Sequence, residues 1–373
     1  MRNIPFSRPV QVGAEPERFA QVLAATRSGR DSFARRCEEL LRALLRCEVL
    51  LVSSATHALE LAAMLLGIGP GDEVIVPSFT ISSTVNAFLL RGARIRFADV
   101  DANGNLDPAE AARLVSARTR AVVPVHYGGH CCDLVELQAG VGNTAIVEDA
   151  AHAIGASFRG RPLGTFGVCG AISFHETKNV GCGEGGAIIV RDGSLLERAE
   201  ILRDKGNDRQ RFERGLVDRY TWVDIGSSYT LSELSAAWLC GQLEQLSRIQ
   251  ARRQEIWDRY FAHLEAPVQR VGATILKGRP GTAGNAHLFA IVFRSCEQRR
   301  SYIAHMREQG ICCAFHYVAL HTSPMGRQLH DGRPLPGSER LSSCLVRLPL
   351  FFELTDAEAD QVIEVTLDFL RRL

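Results

Sequence analysis

A chain of 373 residues has room for a large domain and a smaller one, each with its own core. Its 43 basic and 42 acidic side chains leave a formal charge of +1, which argues against nucleic acid or an anionic membrane as the main partner, since both call for a basic surplus. Residues 1–30 hold no apolar signal core, and no apolar run nears the roughly 20 residues that cross a bilayer, so a cytoplasmic protein is expected.

In chain order, residues 32–45 place Phe33, Cys37, Leu40, Leu41, Leu44 and Leu45 on one helical stripe. Short apolar runs follow at 49–52, 73–76, 94–100, 121–125, 145–148, 171–174 and 187–190, alternating with helical patterns at 56–66, 80–91, 107–116 and 133–139. Asp107-Pro108-Ala109-Glu110 reads as a helix start, with a cap, a first-turn proline and a glutamate at the third position. Such alternation predicts an α/β domain with a largely parallel sheet covered on both faces, whose ligands gather at the carboxyl ends of the strands. A long helix over 231–265 suits a link between domains. Beyond it come a strand over 287–293, a helix over 296–309, a strand ending at His316-Tyr317, and a last helix capped by Thr355 with Glu358. The expected division is a large domain over 1–245 and a small α+β domain over 246–373.

Eleven scattered cysteines, odd in number, do not form a disulfide framework and are expected to be reduced core residues.

Chemistry concentrates in 146–186. The strand in IVEDAAHAIGA ends at Glu148 and Asp149, and the one in AISFHETKNVGCGEGGA ends at Ser173-Phe174. Lys178 follows in a loop bounded by Gly181, Gly183, Gly185 and Gly186. A desolvated lysine amine can form an imine with an aldehyde cofactor, and a facing carboxylate keeps a pyridine nitrogen protonated. Lys178 and Asp149 are candidates for those roles, although a lone lysine is more often a surface charge and an aspartate after a strand more often a turn residue. Ser53-Ser54-Ala55-Thr56 ends one strand and opens a helix, a place where free amides can bind phosphate or where Ser54 or Thr56 simply caps. Arg209, Arg211, Arg214 and Arg219 gather around Tyr220 and Trp222, either as a clamp for a nucleotide diphosphate or as a solvated charged face. His126, His130, Cys131 and Cys132 form a rival metal constellation, weakened because adjacent cysteines rarely share one tetrahedral ion.

The strings IPFSRP (4–9), VPSFT (76–80), SFHETKN (173–179), GEGGA (183–187) and VDRYTWVDIGSSY (217–229) resemble the sugar aminotransferases of the DegT/DnrJ/EryC1/StrS family, and within it the dTDP-4-amino-4,6-dideoxygalactose transaminases. The resemblance implies the fold type I (aspartate aminotransferase-like) architecture and pyridoxal 5'-phosphate, cycling through pyridoxamine 5'-phosphate. It implies Lys178 as the Schiff-base lysine, Asp149 as the ring-nitrogen partner and His152 beside the ring hydroxyl. Ala55, Thr56 and Ser173 fall at phosphate positions, and Ser228 where a residue of the neighbouring subunit reaches the phosphate of a homodimer. Ile81 stands where the family usually stacks an aromatic ring, with Phe79 as the possible substitute. His316, Tyr317 and His321 match a segment near the active site, and His175 belongs to the SFHETKN string rather than serving as a base. The implied substrates are L-glutamate and a nucleotide-linked keto-sugar, dTDP-4-dehydro-6-deoxy-D-glucose first. Amination at carbon 3, or a non-catalytic regulator binding the sugar or cofactor, are the alternatives.

Overall fold

The computed structural model describes residues 3–24 and 32–373. Strands β1 (Glu48–Val52), β2 (Glu73–Pro77), β3 (Arg94–Ala98), β4 (Thr119–Val122), β5 (Ala145–Asp149), β6 (Cys169–Ser173) and β7 (Gly186–Val190) make one sheet in the order β1-β7-β6-β5-β4-β2-β3. β7 runs antiparallel to both neighbours, and the remaining pairs are parallel.

Side chains alternate between faces along a strand, so each apolar run feeds two cores. Val49, Leu51, Ile75, Val122, Ile172 and Ile189 face one layer, joined by α2 (Phe33–Leu45), α5 (Pro108–Leu114), α6 (Leu134–Val141) and α9 (Glu233–Glu244). Leu50, Val52, Val74, Val76, Val147 and Ile188 face the other, with α3 (Ala55–Leu65), α4 (Ser82–Leu89) and α7 (Leu196–Arg203). Helix α1 (Glu15–Ala24) lies along α9, and α8 (Arg209–Glu213) follows α7. The expected caps form: Asp107 accepts from the Ala109 and Glu110 amides, and Ser54 from the His57 amide.

A second core gathers around Tyr260, Phe289, Phe293, Tyr302 and Phe369. It is framed by α10 (Leu246–Arg270), α11 (Cys296–Glu308), α14 (Asp356–Arg371) and an antiparallel sheet of β8 (Thr274–Ile275), β9 (Phe289–Val292) and β10 (Leu345–Leu348). Thr355 and Glu358 close a full capping box on α14. Ile4 joins this core and bridges to Ile311. Two short helices, α12 (Gly326–Leu329) and α13 (Pro336–Cys344), complete the chain.

Three expectations change. The helix expected over 231–265 is two, broken at Gln245, whose backbone (φ −108°, ψ 14°) leaves the helical region. Leu239 and Leu243 before the break and Leu246 and Ile249 after it face the large core, and Ile256, Tyr260 and Leu264 farther along α10 turn to the second. The strand expected to end at His316-Tyr317 is absent; Ala314 alone bridges to Arg347, and the following segment bends toward the sheet edge. The strand expected over 94–100 stops at Ala98 because Asp99 turns aside, its carboxylate accepting from the Gly337 and Ser338 amides at the start of α13 (2.8 and 2.7 Å).

Candidate active site

Parallel strands bring their carboxyl ends to one edge, where loops from β1, β2, β4, β5 and β6 meet. Asp149 ends β5, buried, with one oxygen accepting from Thr84 Oγ1 (2.8 Å) and the other from the Ala151 amide (3.2 Å). Thr80 backs Thr84 through a 2.9 Å hydroxyl pair. Burial pushes the Asp149 carboxyl upward, while Thr84, Ala151 and the nearby Lys178 favour the charged form. An ionised carboxylate has about four lone-pair sites, so Asp149 keeps capacity for another N–H donor.

Lys178 follows β6 in a tight loop in which the Lys178 amide bonds to the His175 carbonyl (2.9 Å). Among the described residues no hydrogen bond or ion pair ends on its amine. Burial lowers the ammonium to about 8, with Asp149 pulling it up and Arg347 pushing it down. The result is an amine that is neutral far more often than an ordinary lysine's.

His152 is buried three residues beyond Asp149. The Gly128 amide donates to its Nδ1 (3.3 Å), which leaves the ring proton on Nε2, and burial together with Lys178 keeps the ring neutral. His316 is stacked on Tyr317 (3.6 Å), bonded to the Tyr127 hydroxyl (3.1 Å) and nearly parallel to His152 at 6.0 Å. His175 stays local, bonded to Thr177 and facing Glu184.

At the start of α3 the Ser54 hydroxyl caps the His57 amide (3.1 Å) and the Ser54 carbonyl takes the Ala58 amide, while the Ala55 and Thr56 amides have no protein acceptor among the described residues. Gly186 on β7 passes so close that a Cβ there would overlap the Ser54 carbonyl carbon and the Ala55 nitrogen. Ser173 is buried at the end of β6, its hydroxyl accepting from the His175 amide (3.3 Å). The arrangement offers a helix N-terminus for an anion, a carboxylate for a cationic ring nitrogen and an amine for an aldehyde.

Ile81 sits at the N-cap of α4 and is 51% exposed, whereas Phe79 is fully buried, edge-on to Tyr127 (5.2 Å) and Tyr317 (5.6 Å). Phe79 is thus committed to packing, and Ile81 alone of the two is exposed.

Other expected residues lie apart. Arg209, Arg211 and Arg214 pair with Glu213 (2.9 Å), Glu197 (3.3 Å) and Glu200 (2.5 Å), carboxylates of α7 and α8 rather than of the Lys178 cluster. Tyr220 packs on Phe212 at the surface, and Ser228, also exposed, bridges to Asp204. His321 is buried between Ser78 (2.6 Å) and Glu339 (3.2 Å), tying the β2–α4 loop to α13. The rival metal group does not converge. His126 binds Glu148 (2.7 Å), His130 packs on Gly278 and Gly284, and Cys131 faces Thr282; among the described residues no three His, Cys, Asp or Glu side chains are placed to hold a metal ion.

Sequence reasoning missed Thr84, Tyr127, His287 and Arg347. Arg347 donates to the Phe315 carbonyl (3.0 Å) and lies over the Phe6 ring (4.5 Å), yet its buried Nε has no partner and no carboxylate lies within ion-pair distance among the described residues. Its one signal was a lone arginine inside an apolar strand, LVRLPL.

Residues 13–366 match the DegT/DnrJ/EryC1/StrS aminotransferase family. The chain belongs to that family. Among solved structures, the aminotransferase resembles DesV of S. venezuelae in complex with a ketimine intermediate (31% identity, TM-score 0.89, all of both chains covered). It also resembles the sugar aminotransferase CalS13 of Micromonospora echinospora (26%, TM-score 0.88, 98% of this chain and 99% of that one). Spr1654 of Streptococcus pneumoniae, in its PLP form, matches at 25% identity and TM-score 0.88 over 100% of this chain and 99% of that one. The aminotransferase therefore has the α/β pyridoxal-phosphate-dependent fold expected from its sequence, and pyridoxal phosphate is its cofactor. No helix among its described residues is long and apolar enough to cross a membrane.

Proposed function

We propose that this aminotransferase transfers an amino group from L-glutamate to a nucleotide-linked 4-keto-6-deoxy sugar, with dTDP-4-dehydro-6-deoxy-D-glucose as the acceptor. The observation that carries the reading is the half-buried Lys178, whose desolvated amine has no hydrogen-bond or ion-pair partner among the described residues and lies near enough to the buried Asp149 carboxylate to feel its charge. The sugar acceptor is supported by the strings at 173–179 and 217–229 and by the likeness to CalS13.

The residues fit the cofactor. The unpaired Ala55 and Thr56 amides, with Ser173, suit its phosphate, and the spare lone pairs of Asp149 suit a protonated ring nitrogen. His152 has an Nε2–H to give to the ring hydroxyl, and Ile81 covers the ring by dispersion. When bound, pyridoxal phosphate supplies an electron sink for charge released at the neighbouring carbon.

Around it, the protein's groups have separate tasks. Lys178 would hold the cofactor aldehyde through its amine, and the same Nζ, when neutral and free, could accept the proton from the donor's α-carbon. Asp149 keeps the ring nitrogen charged by placing a carboxylate in a buried setting where the attraction is weakly screened. Arg347 has no carboxylate partner and suits a carboxylate of the incoming donor. Arg209, Arg211 and Arg214, beside Tyr220, serve the nucleotide diphosphate by exchanging their glutamate partners for phosphate oxygens. Ser228 reaches the phosphate of a second copy in a homodimer.

The test is an absorption spectrum of the purified protein with pyridoxal phosphate. We expect a visible band in the wild type that L-glutamate bleaches and that Lys178→Ala does not form. The band should appear faster as pH rises through about 8, because the neutral form of Lys178 is the nucleophile. A wild type without any band would end the reading.

A further inference from the structure

His287 has no part in the chemistry above, yet it lies at its centre. It is buried, with its ring stacked on His152 (4.1 Å between centroids, 27° between planes). Its Nδ1 is 2.8 Å from Asn179 Oδ1. Asn179 is the residue after Lys178, and its amide nitrogen is spent on the Asn285 carbonyl (2.8 Å). The Asn179 oxygen is therefore the acceptor in the first bond, and the His287 proton must sit on Nδ1. His152 has the opposite tautomer, because the Gly128 amide donates to its Nδ1. Of two neutral stacked rings, one thus has an Nε2–H donor and the other an Nε2 lone pair.

The backbone that carries His287 is held at a cost. Ala286, the preceding residue, has φ +48°, a left-handed conformation that is unfavourable in a residue with a Cβ. Arg253, fully buried on α10, offsets it by donating to the Ala286 and His287 carbonyls (3.1 and 2.7 Å). Asn285 donates to the His152 and Ile154 carbonyls (2.8 and 2.9 Å). One segment, 285–287, therefore grips the His152 backbone, the His152 ring and the residue next to Lys178.

We infer that His287 is a positioning residue: fixed by Asn179 with its proton on Nδ1, it holds the His152 ring as an Nε2–H donor and ties the Lys178 loop to the segment at 285–287. The inference rests on the reading of Lys178 and His152 as the working groups, but its first test does not need the reaction. In ¹⁵N NMR spectra of the cofactor-free protein, His287 should show its proton on Nδ1 and His152 on Nε2, with neither ring titrating between about pH 6 and 8. Asn179→Asp should give His287 a carboxylate acceptor and bring a histidine titration into that window, which a purely packing role would not do. His287→Phe keeps the stack but loses the bond to Asn179. It should release the Asn179 oxygen next to Lys178 and lower kcat about tenfold to a hundredfold with KM for both substrates little changed, and His287→Gln, which restores a donor to Asn179, should recover part of the loss. An Nε2–H tautomer at His287 in the wild type, or an Asn179→Asp variant without a new titration, would overturn the proposal. So would a His287→Phe enzyme with unchanged kcat. If the protein proves inactive on every keto-sugar, the NMR arm still decides the question, so the two readings fail separately.

Discussion

At the residue scale, the site works by removing water from three charged groups and leaving each one favourable neighbour short. Lys178 loses solvation and gains no hydrogen bond, so its amine is released for bonding to an aldehyde. Asp149 is desolvated too, and two hydrogen bonds retain its charge without using all its lone pairs. Arg347 is driven down by burial and finds no carboxylate. On the proposed reading Ile81 would cover the cofactor ring by dispersion alone, where an aromatic residue adds about 0.5–1.5 kcal/mol through stacking. Ile81→Phe is accordingly expected to tighten pyridoxal phosphate by about two- to tenfold. Equilibrium dialysis of the cofactor measures it; unchanged affinity would mean that Ile81 does not face the ring.

At the scale of elements, the close approach of β7 to the first turn of α3 is the tightest constraint on the site. The start of α3 carries the two free amides, and Gly186 lets the strand lie directly against it. Gly186→Ala adds a methyl group against backbone atoms that cannot move without shifting the helix. The substitution should cost about 1–3 kcal/mol of stability, read as a lower melting temperature of the cofactor-free protein. It should also weaken the cofactor, since the amides move with the helix. A variant that melts with the wild type and binds pyridoxal phosphate equally well would show that the approach is not needed. Helix α10 acts at this scale too: its first turns place Leu246 and Ile249 in the large core, and its later turns place Ile256 and Tyr260 in the second.

At the scale of the molecule, a band of large apolar side chains is left in water. Leu216 is 63% exposed and Trp222 78%, and Phe212, Tyr220, Val223 and Ile225 continue the band. Contiguous apolar surface of this kind is normally covered by a partner, and Ser228 lies in the same segment. A homodimer that buries the band and brings Ser228 to a second active site accounts for both. Trp222→Asp is expected to shift the protein to monomer in light scattering after gel filtration, with loss of cofactor affinity. A wild type that is monomeric at micromolar concentration would remove this account.

By itself the sequence determined the layered α/β fold, the places of its main strands along the chain, the caps at Asp107 and Thr355, and the candidacy of Lys178 and Asp149; it left the cap of the helix after the first strand between Ser54 and Thr56. These follow from local rules: apolar period, capping chemistry, and the tendency of a strand end with glycine punctuation to carry a site. Only the tertiary structure decided that Phe79 is packed away while Ile81 is exposed, that His321 serves Ser78 and Glu339, and that Arg209, Arg211 and Arg214 are paired within the chain. It alone brought Thr84, Tyr127, His287 and Arg347 to Lys178. Those four come from a helix, a turn and two segments of the C-terminal core, separated from the lysine by roughly 50 to 170 positions. No periodicity spans such gaps; which side chains share a buried site depends on how the two cores dock, and on which polar groups find partners once water is gone.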